Sequence, residues 1–339
     1  MSQTEEAPPV ALVKLLFGSL VTQMIAAAMH LEVPERLKNG PLAADAIAAA
    51  AGAEPDATYR LLRALASVGV LVEGPDRTFS LSPMGRLLVA DEPGSLAGLA
   101  RLTAEPWHFA SLGEITHSVR TGESGFSKVH GEQLFAWLSS RPRESSVFND
   151  AMTSFSNVEA SMILRGYDFS SARRIVDVGG GNGLLLGHLL EANAEARGVL
   201  LELSNVVEGA RRLLSEHGLD RRVEILSGDF FHAVPEGGDI YILKHVLHDW
   251  RDERALAIVQ NVARAMPRGG RLLVIEQVLA PPGVSHFSKV LDVGVMVITD
   301  GGRERTEAEH TALLERAGLE LSRVVPLPGP ISILEAVHR

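Results

Sequence analysis

After Asp168-Phe169-Ser170-Ser171 the sequence alternates short Val/Ile/Leu runs with amphipathic stretches, the pattern of a parallel sheet built from βαβ units. Few folds accommodate it, because parallel strands need long crossovers and the crossover helices cover the sheet's faces. The first strand, Arg174 to Val178, runs into Gly179-Gly180-Gly181-Asn182-Gly183 before a helix from Leu184 to Glu191. A glycine turn between strand and helix brings backbone close to a ligand. The spacing is Gly179-x-Gly181-x-Gly183 with Leu184 next, so the dinucleotide fingerprint is incomplete and a nicotinamide reading is weakened.

The other chemistry-bearing residues fall at strand ends. A second strand, Gly198 to Leu201, ends at Glu202, whose carboxylate can accept from both hydroxyls of a ribose. A third, Val223 to Ser227, delivers Gly228-Asp229-Phe230, with Asp229 placed to accept from an adenine amino group and Phe230 to stack on its ring. The strand Ile240 to Leu243 gives way to Lys244-His245-Val246-Leu247-His248-Asp249-Trp250 before a helix beginning near Asp252. In open α/β sheets ligands sit outside the carboxyl ends of the strands, so His248 is presented as a base, poised near neutrality. Glu276 ends the strand Arg271 to Ile275, where a carboxylate bonded to the imidazole would fix its tautomer. Glu304, between Arg303 and Arg305, precedes the capping box Thr306-Glu307-Ala308-Glu309 of a helix running to Ala317.

Plainer readings stand beside these. Each acid alone is as well explained as a cap or a solvated loop residue; Asp249 precedes a helix start and reads as a cap, and Glu304 as half of a surface ion pair. His245 and Trp250 read as packing.

The N-terminal half has a different character. Val10 to Leu31 is interrupted by Lys14, Ser19, Thr22, Gln23 and His30, while Leu12, Leu15, Leu16 and Leu20 keep helical spacing, so it reads as one amphipathic helix buried in its own domain or against another chain. Residues 31 to 90 predict helices at Val33 to Leu37, Leu42 to Ala51 ended by Gly52, and Asp56 to Val68 ended by Gly69, then a hairpin from Val70 to Ser82 turning at Gly74-Pro75-Asp76. That is a winged-helix pattern. Its third helix offers only Arg60 and Arg63 for phosphate contacts, which favours architecture over DNA reading. From Leu96 to about Gly166 the chain is helical and rich in large apolar groups, Trp107, Phe148, Met152 and Phe155 among them, with a Gly-rich loop from Gly122 to Gly131. These residues either roof a pocket for a flat substrate or form ordinary core. The domain reading is 1–95 winged helix, 96–165 helical linker and pocket segment, and 166–339 ligand-binding sheet domain.

Composition narrows the function. A formal net charge of -10 opposes sequence-independent attraction to nucleic acid. With 0 cysteines there is neither a disulfide framework nor a thiolate metal site. The acidic start lacks the basic region of a signal peptide, and a cytoplasmic chain without a membrane partner is expected.

Taken in order, Val176-Asp-Val-Gly-Gly-Gly-Asn-Gly183, Gly228-Asp-Phe230, His248-Asp-Trp250 and Gly301-Gly-Arg-Glu-Arg-Thr306 resemble the class I S-adenosylmethionine-dependent small-molecule O-methyltransferases, plant caffeate-type and bacterial antibiotic-tailoring enzymes. The winged N-terminal unit is similar too. The resemblance implies an α/β fold, a Rossmann-like methyltransferase domain preceded by a mostly helical winged-helix dimerisation domain. It implies S-adenosyl-L-methionine as methyl donor, S-adenosyl-L-homocysteine as product, and no metal. It makes His248 the general base flanked and oriented by Glu276 and Glu304, and puts Gly179, Gly181, Glu202, Asp229, Phe230 and Lys244 at the cofactor. Glu202 departs from the Asp usual in plant members. A homodimer forms through the N-terminal domain, which helps close the neighbouring active site. The acceptor pocket would draw on Trp107, Phe148, Met152, Phe155, Met296 and Asp249, and a hydroxylated aromatic secondary metabolite, phenazine, polyketide or other phenolic, would fit it. Alternatives are a relative with hydroxylase or decarboxylase chemistry, a winged-helix ligand-sensing regulator and a nicotinamide oxidoreductase.

Overall fold

The computed structural model describes residues 7–339, which divide into two compact units, one ending at Pro106 and one beginning at Trp107. In the first, α1 (Pro8–Leu16) and α2 (Gly18–His30) replace the single expected helix; they are bent by 45° about Phe17, where the chain passes into Gly18. No single helix among the described residues is long and apolar enough to cross a membrane. α3 (Val33–Leu37) follows. The helix expected from Leu42 starts two residues later, as α4 (Ala44–Ala51), because Leu42–Ala43 is a short strand, β1, paired with the hairpin. α5 (Pro55–Ser67) begins with Pro55 at its first turn and the Glu54 side chain accepting the amides of Asp56 and Ala57. The hairpin strands β2 (Leu71–Glu73) and β3 (Thr78–Leu81) complete a small sheet in the order β1-β3-β2. Val33, Leu37, Ile47, Leu62, Leu65 and Phe79 close its core.

The second unit opens with short helices and the long Pro142–Gly166. The expected Gly-rich loop is a helix, Gly125–His130. Ser124 caps it by accepting the Ser127 amide; Gly131 ends it and Gly122 ends the preceding helix, Ile115–Thr121, both in left-handed conformations. Seven strands follow: β4 (Arg174–Val178), β5 (Arg197–Glu202), β6 (Val223–Ser227), β7 (Ile240–Lys244), β8 (Arg271–Gln277), β9 (Leu319–Pro326) and β10 (Ile331–His338). Their order is β6-β5-β4-β7-β8-β10-β9, parallel through β8 and antiparallel at β10 and β9. β4 and β7 are buried along nearly their whole length, hence their continuous apolar runs rather than alternation. Two apolar clusters cover opposite faces, one around Val176, Tyr241, Leu243 and Val274, the other around Ile175, Leu200, Ile242 and Ile275. Strand order reverses between β4 and β7, so the glycine turn and the His248 segment leave adjacent strand ends at the switch point where such sheets bind ligands.

Candidate active site

The turn after β4 holds Gly179, Gly181 and Gly183 at φ of 73°, 60° and 76°, a region that side chains resist. A Cβ at Gly180 would lie 2.2 Å from Asp177 Oδ2, and one at Gly179 would lie 3.2 Å from both Phe230 and Val246, while Gly181 faces open space. Glu202 leans back onto the turn: Oε2 accepts the Gly181 amide at 3.1 Å and Oε1 the Leu203 amide at 2.8 Å. Burial raises its pKa against those two amides. Asp177 is buried with both carboxylate oxygens unpartnered; burial pushes it up to about 7, with Lys244 opposing and Glu202 adding. A backbone cradle of left-handed glycines, beside the half-buried Glu202 carboxylate and the buried Asp177 carboxylate that awaits a donor, fits an adenosine-bearing cofactor with hydroxyl and ammonium groups.

Asp229 is turned otherwise than expected. Its carboxylate accepts the Phe231 amide at 2.8 Å and lies 3.1 Å from His232 Nδ1, closing its own turn, which is the plainer loop reading. Phe230 is half-buried, packed edge-on to Phe231 and Trp250 and against the Gly179 backbone. Lys244 donates to Ser156 Oγ at 3.1 Å and Glu159 Oε2 at 2.9 Å. Glu159 also meets His245 Nε2 at 2.9 Å, so His245, at φ 52°, is not mere packing. Burial disfavours the Glu159 charge, but His245 and Lys244 outweigh it and hold the acid at about 2. Trp250 is packing, stacked on Phe135 at 5.6 Å.

His248 lies in a one-turn 3₁₀ segment, Leu247–Asp249, between β7 and the helix Asp252–Ala265. His248 Nδ1 is 2.9 Å from Glu304 Oε1. Glu304 is 1% exposed, which replaces the surface ion pair with a buried imidazole–carboxylate bond. Glu276 acts elsewhere than expected. It lies inside β8, and its Oε1 accepts three backbone amides, Val246 at 3.2 Å, Leu247 at 2.6 Å and His248 at 3.1 Å, rather than the ring. Asp249 makes no cap, since Arg251 occupies the helix N-cap; its Oδ1 lies 3.7 Å from His248 Nε2. Burial works against charge on His248, yet Asp249, Glu304 and Glu276 prevail and push it up to about 10, not near neutrality.

Sequence reasoning missed the residues that hold this turn. Arg305, 1% exposed, donates to the carbonyls of Leu247 and Trp250 at 2.8 Å each and to Asp252. Gly302 fits because a Cβ there would lie 2.6 Å from the His248 carbonyl, which accepts the Arg303 amide at 2.8 Å. Asp292 accepts the Glu304 amide at 2.8 Å. The only signal was the run Gly301 to Thr306 itself; the partners of Arg305 lie 53 to 58 residues away and Asp292 lies 12 from Glu304.

Among the expected substrate residues, Phe148 meets Phe135 edge-on at 6.1 Å, and Phe135 in turn stacks on Trp250. Phe155 lies 6.3 Å from His245, and Met152 occupies the turn between them on Pro142–Gly166. Met296 is half-buried on Ser288–Ile298. Trp107 is 9% exposed among Phe126, Trp137 and His108, a core position.

A family model described as an O-methyltransferase domain matches residues 112–320, and one described as an O-methyltransferase dimerisation domain matches residues 13–91. The chain is 41% identical to a mitomycin biosynthesis 6-O-methyltransferase of Streptomyces lavendulae over 95% of this chain and 92% of the relative. It is 35% identical to a phenazine O-methyltransferase of Lysobacter antibioticus, over 96% of this chain and 95% of the relative. A solved O-methyltransferase from neocarzinostatin biosynthesis, in complex with S-adenosylmethionine and 2-hydroxy-5-methyl naphthoic acid, superposes with a TM-score of 0.77 at 32% identity, covering 94% of this chain and 96% of that one.

Proposed function

The chain belongs to the S-adenosyl-L-methionine-dependent O-methyltransferase family, and from that premise we propose that it methylates a hydroxyl of a flat aromatic metabolite, with His248 as the general base. The observation that carries this reading is the buried His248–Glu304 bond beside the glycine turn at the sheet's switch point. S-adenosyl-L-methionine supplies an activated methyl group and leaves as S-adenosyl-L-homocysteine. Gly179, Gly181 and Glu202 would hold its nucleoside, with Asp229, Phe230 and Lys244 around it and Asp177 as acceptor for a donor group.

His248 takes the proton from the acceptor hydroxyl at Nε2, since Nδ1 is committed to Glu304. A phenol has a pKa of about 10, like tyrosine, and His248 is itself raised to about 10, so the transfer is nearly matched in energy. Asp249, beside Nε2, is positioned to receive a second polar group of the acceptor. Phe148, Met152, Phe155 and Met296 supply the apolar surface for a flat ring. The relatives that act on mitomycin and phenazine precursors, and the neighbour bound to a naphthoic acid, support a polycyclic hydroxylated acceptor. The exposed apolar face of α1 and α2, with Leu15 and Leu16 at its centre, supports a homodimer through the dimerisation unit.

The test is mass-spectrometric detection of methylated products after incubating phenols, hydroxyphenazines and hydroxynaphthoates with S-adenosyl-L-methionine. His248→Ala is expected to lose about 10²- to 10⁴-fold in kcat. Calorimetry should give that variant unchanged affinity for S-adenosyl-L-homocysteine; lost affinity would make His248 structural.

A further inference from the structure

His310 lies on the helix Glu307–Arg316 and is 1% exposed, yet neither of its ring nitrogens has a hydrogen-bond partner. Its Nε2 faces Glu276 Oε2 at 3.8 Å, and that oxygen is also buried and unpartnered. The other Glu276 oxygen carries the three amides of the base turn. Buried polar atoms are nearly always bonded, and here two orphans confront each other across a gap that a small movement of the ring closes.

We propose that His310 is a positioning residue: its Nε2–H donates to Glu276 Oε2 and so holds Glu276 as the anion that anchors the base turn. The groups facing His310 are Glu276 from β8, His248 from the base turn, Arg305 from the segment before the helix and Glu309 on the helix itself. Burial, reinforced by Arg305 and His248, keeps the ring uncharged, down at about 3, with Glu309 opposing. An uncharged imidazole has one N–H, so the bond requires the Nε2–H tautomer. The bond keeps a negative charge near His248, which favours the charged form of the base. The inference rests on His248 being the base, and its two tests separate the claims.

The first test is long-range proton–nitrogen correlation on the full-length protein labelled with ¹⁵N-histidine, His310 being assigned by the signals lost in His310→Gln. The expected result through the neutral range is a pyrrole-type Nε2 and a pyridine-type Nδ1; the opposite tautomer, or a doubly protonated ring, overturns the proposal. This measurement decides even if substitutions at 310 impair folding. The second is the pH profile of kcat/KM. In His310→Phe, Glu276 loses a donor and its charge, so the acid limb should move to lower pH by about half a unit, with KM for S-adenosyl-L-methionine unchanged. His310→Gln, which keeps a donor, should return the limb toward its wild-type position. Superimposable limbs for wild type and His310→Phe would sink the proposal. A wild-type profile with no acid limb would instead sink the base assignment, leaving the tautomer result to stand.

Discussion

A histidine at a strand end becomes a directed base only when something fixes its proton, and the proposal for His248 gives that role to Glu304, 56 residues further along the chain and 2.9 Å from Nδ1. Glu304→Gln should therefore lower kcat by about 10- to 100-fold, the rate equivalent of one charge-assisted hydrogen bond. It should also move the acid limb of kcat/KM down, because His248 loses an anion that raises its pKa. In the wild type that limb should lie above the ordinary histidine range, and a limb at or below it would contradict the carboxylate arrangement. The same shift bears on folding. His248 titrates higher in the folded chain, up to about 10 from 6.5, so its charge contributes stability fully below the unfolded value and loses it as pH rises through about 10. The melting-temperature gap between wild type and His248→Gln should narrow over that interval. The place of His248 after an apolar strand was legible in the sequence. Its raised pKa was not, because the acids responsible are distant in sequence.

The His248 turn is short, and two elements hold it from outside: β8 through Glu276, and the Gly301–Thr306 segment through Arg305 and the close backbone approach at Gly302. Gly302→Ala would put a Cβ 2.6 Å from the His248 carbonyl, so the turn must shift. Misplacement of about 1 Å can cost on the order of 10²-fold in kcat, whereas affinity for S-adenosyl-L-homocysteine, measured by calorimetry, should stay near wild type. Periodicity found β4 and β6 to the residue, because their flanking turns mark both ends. It ran the helix at Ala44 two residues too far back, since the pairing of Leu42 with Phe79 across the small sheet overrides local propensity. It also read the helix Gly125–His130 as a loop, since glycine content hides a helix capped by Ser124.

At the scale of the whole molecule, α1 and α2 expose Val10, Leu12, Val13, Leu15, Leu16, Phe17 and Leu20, an apolar surface that asks for a partner. Leu15→Glu with Leu16→Glu should convert the proposed dimer to a monomer by light scattering; an unchanged mass would place the interface elsewhere. The sequence by itself determined the class of sheet, the glycine cradle, the strand-end order of Glu202, Asp229 and His248, and through their combination the family. Those features are local: strand and helix periods, turn glycines and motif spacing are written in neighbouring residues. Only the tertiary structure decided that Glu276 grips backbone rather than imidazole, that Glu304 is buried, that Asp229 closes its own turn, that Arg305 holds the His248 turn, and that His310 faces Glu276. Hydrogen-bond partners are chosen by distance and direction after the chain has packed, and burial, which sets the charge of each group, exists only in the folded molecule.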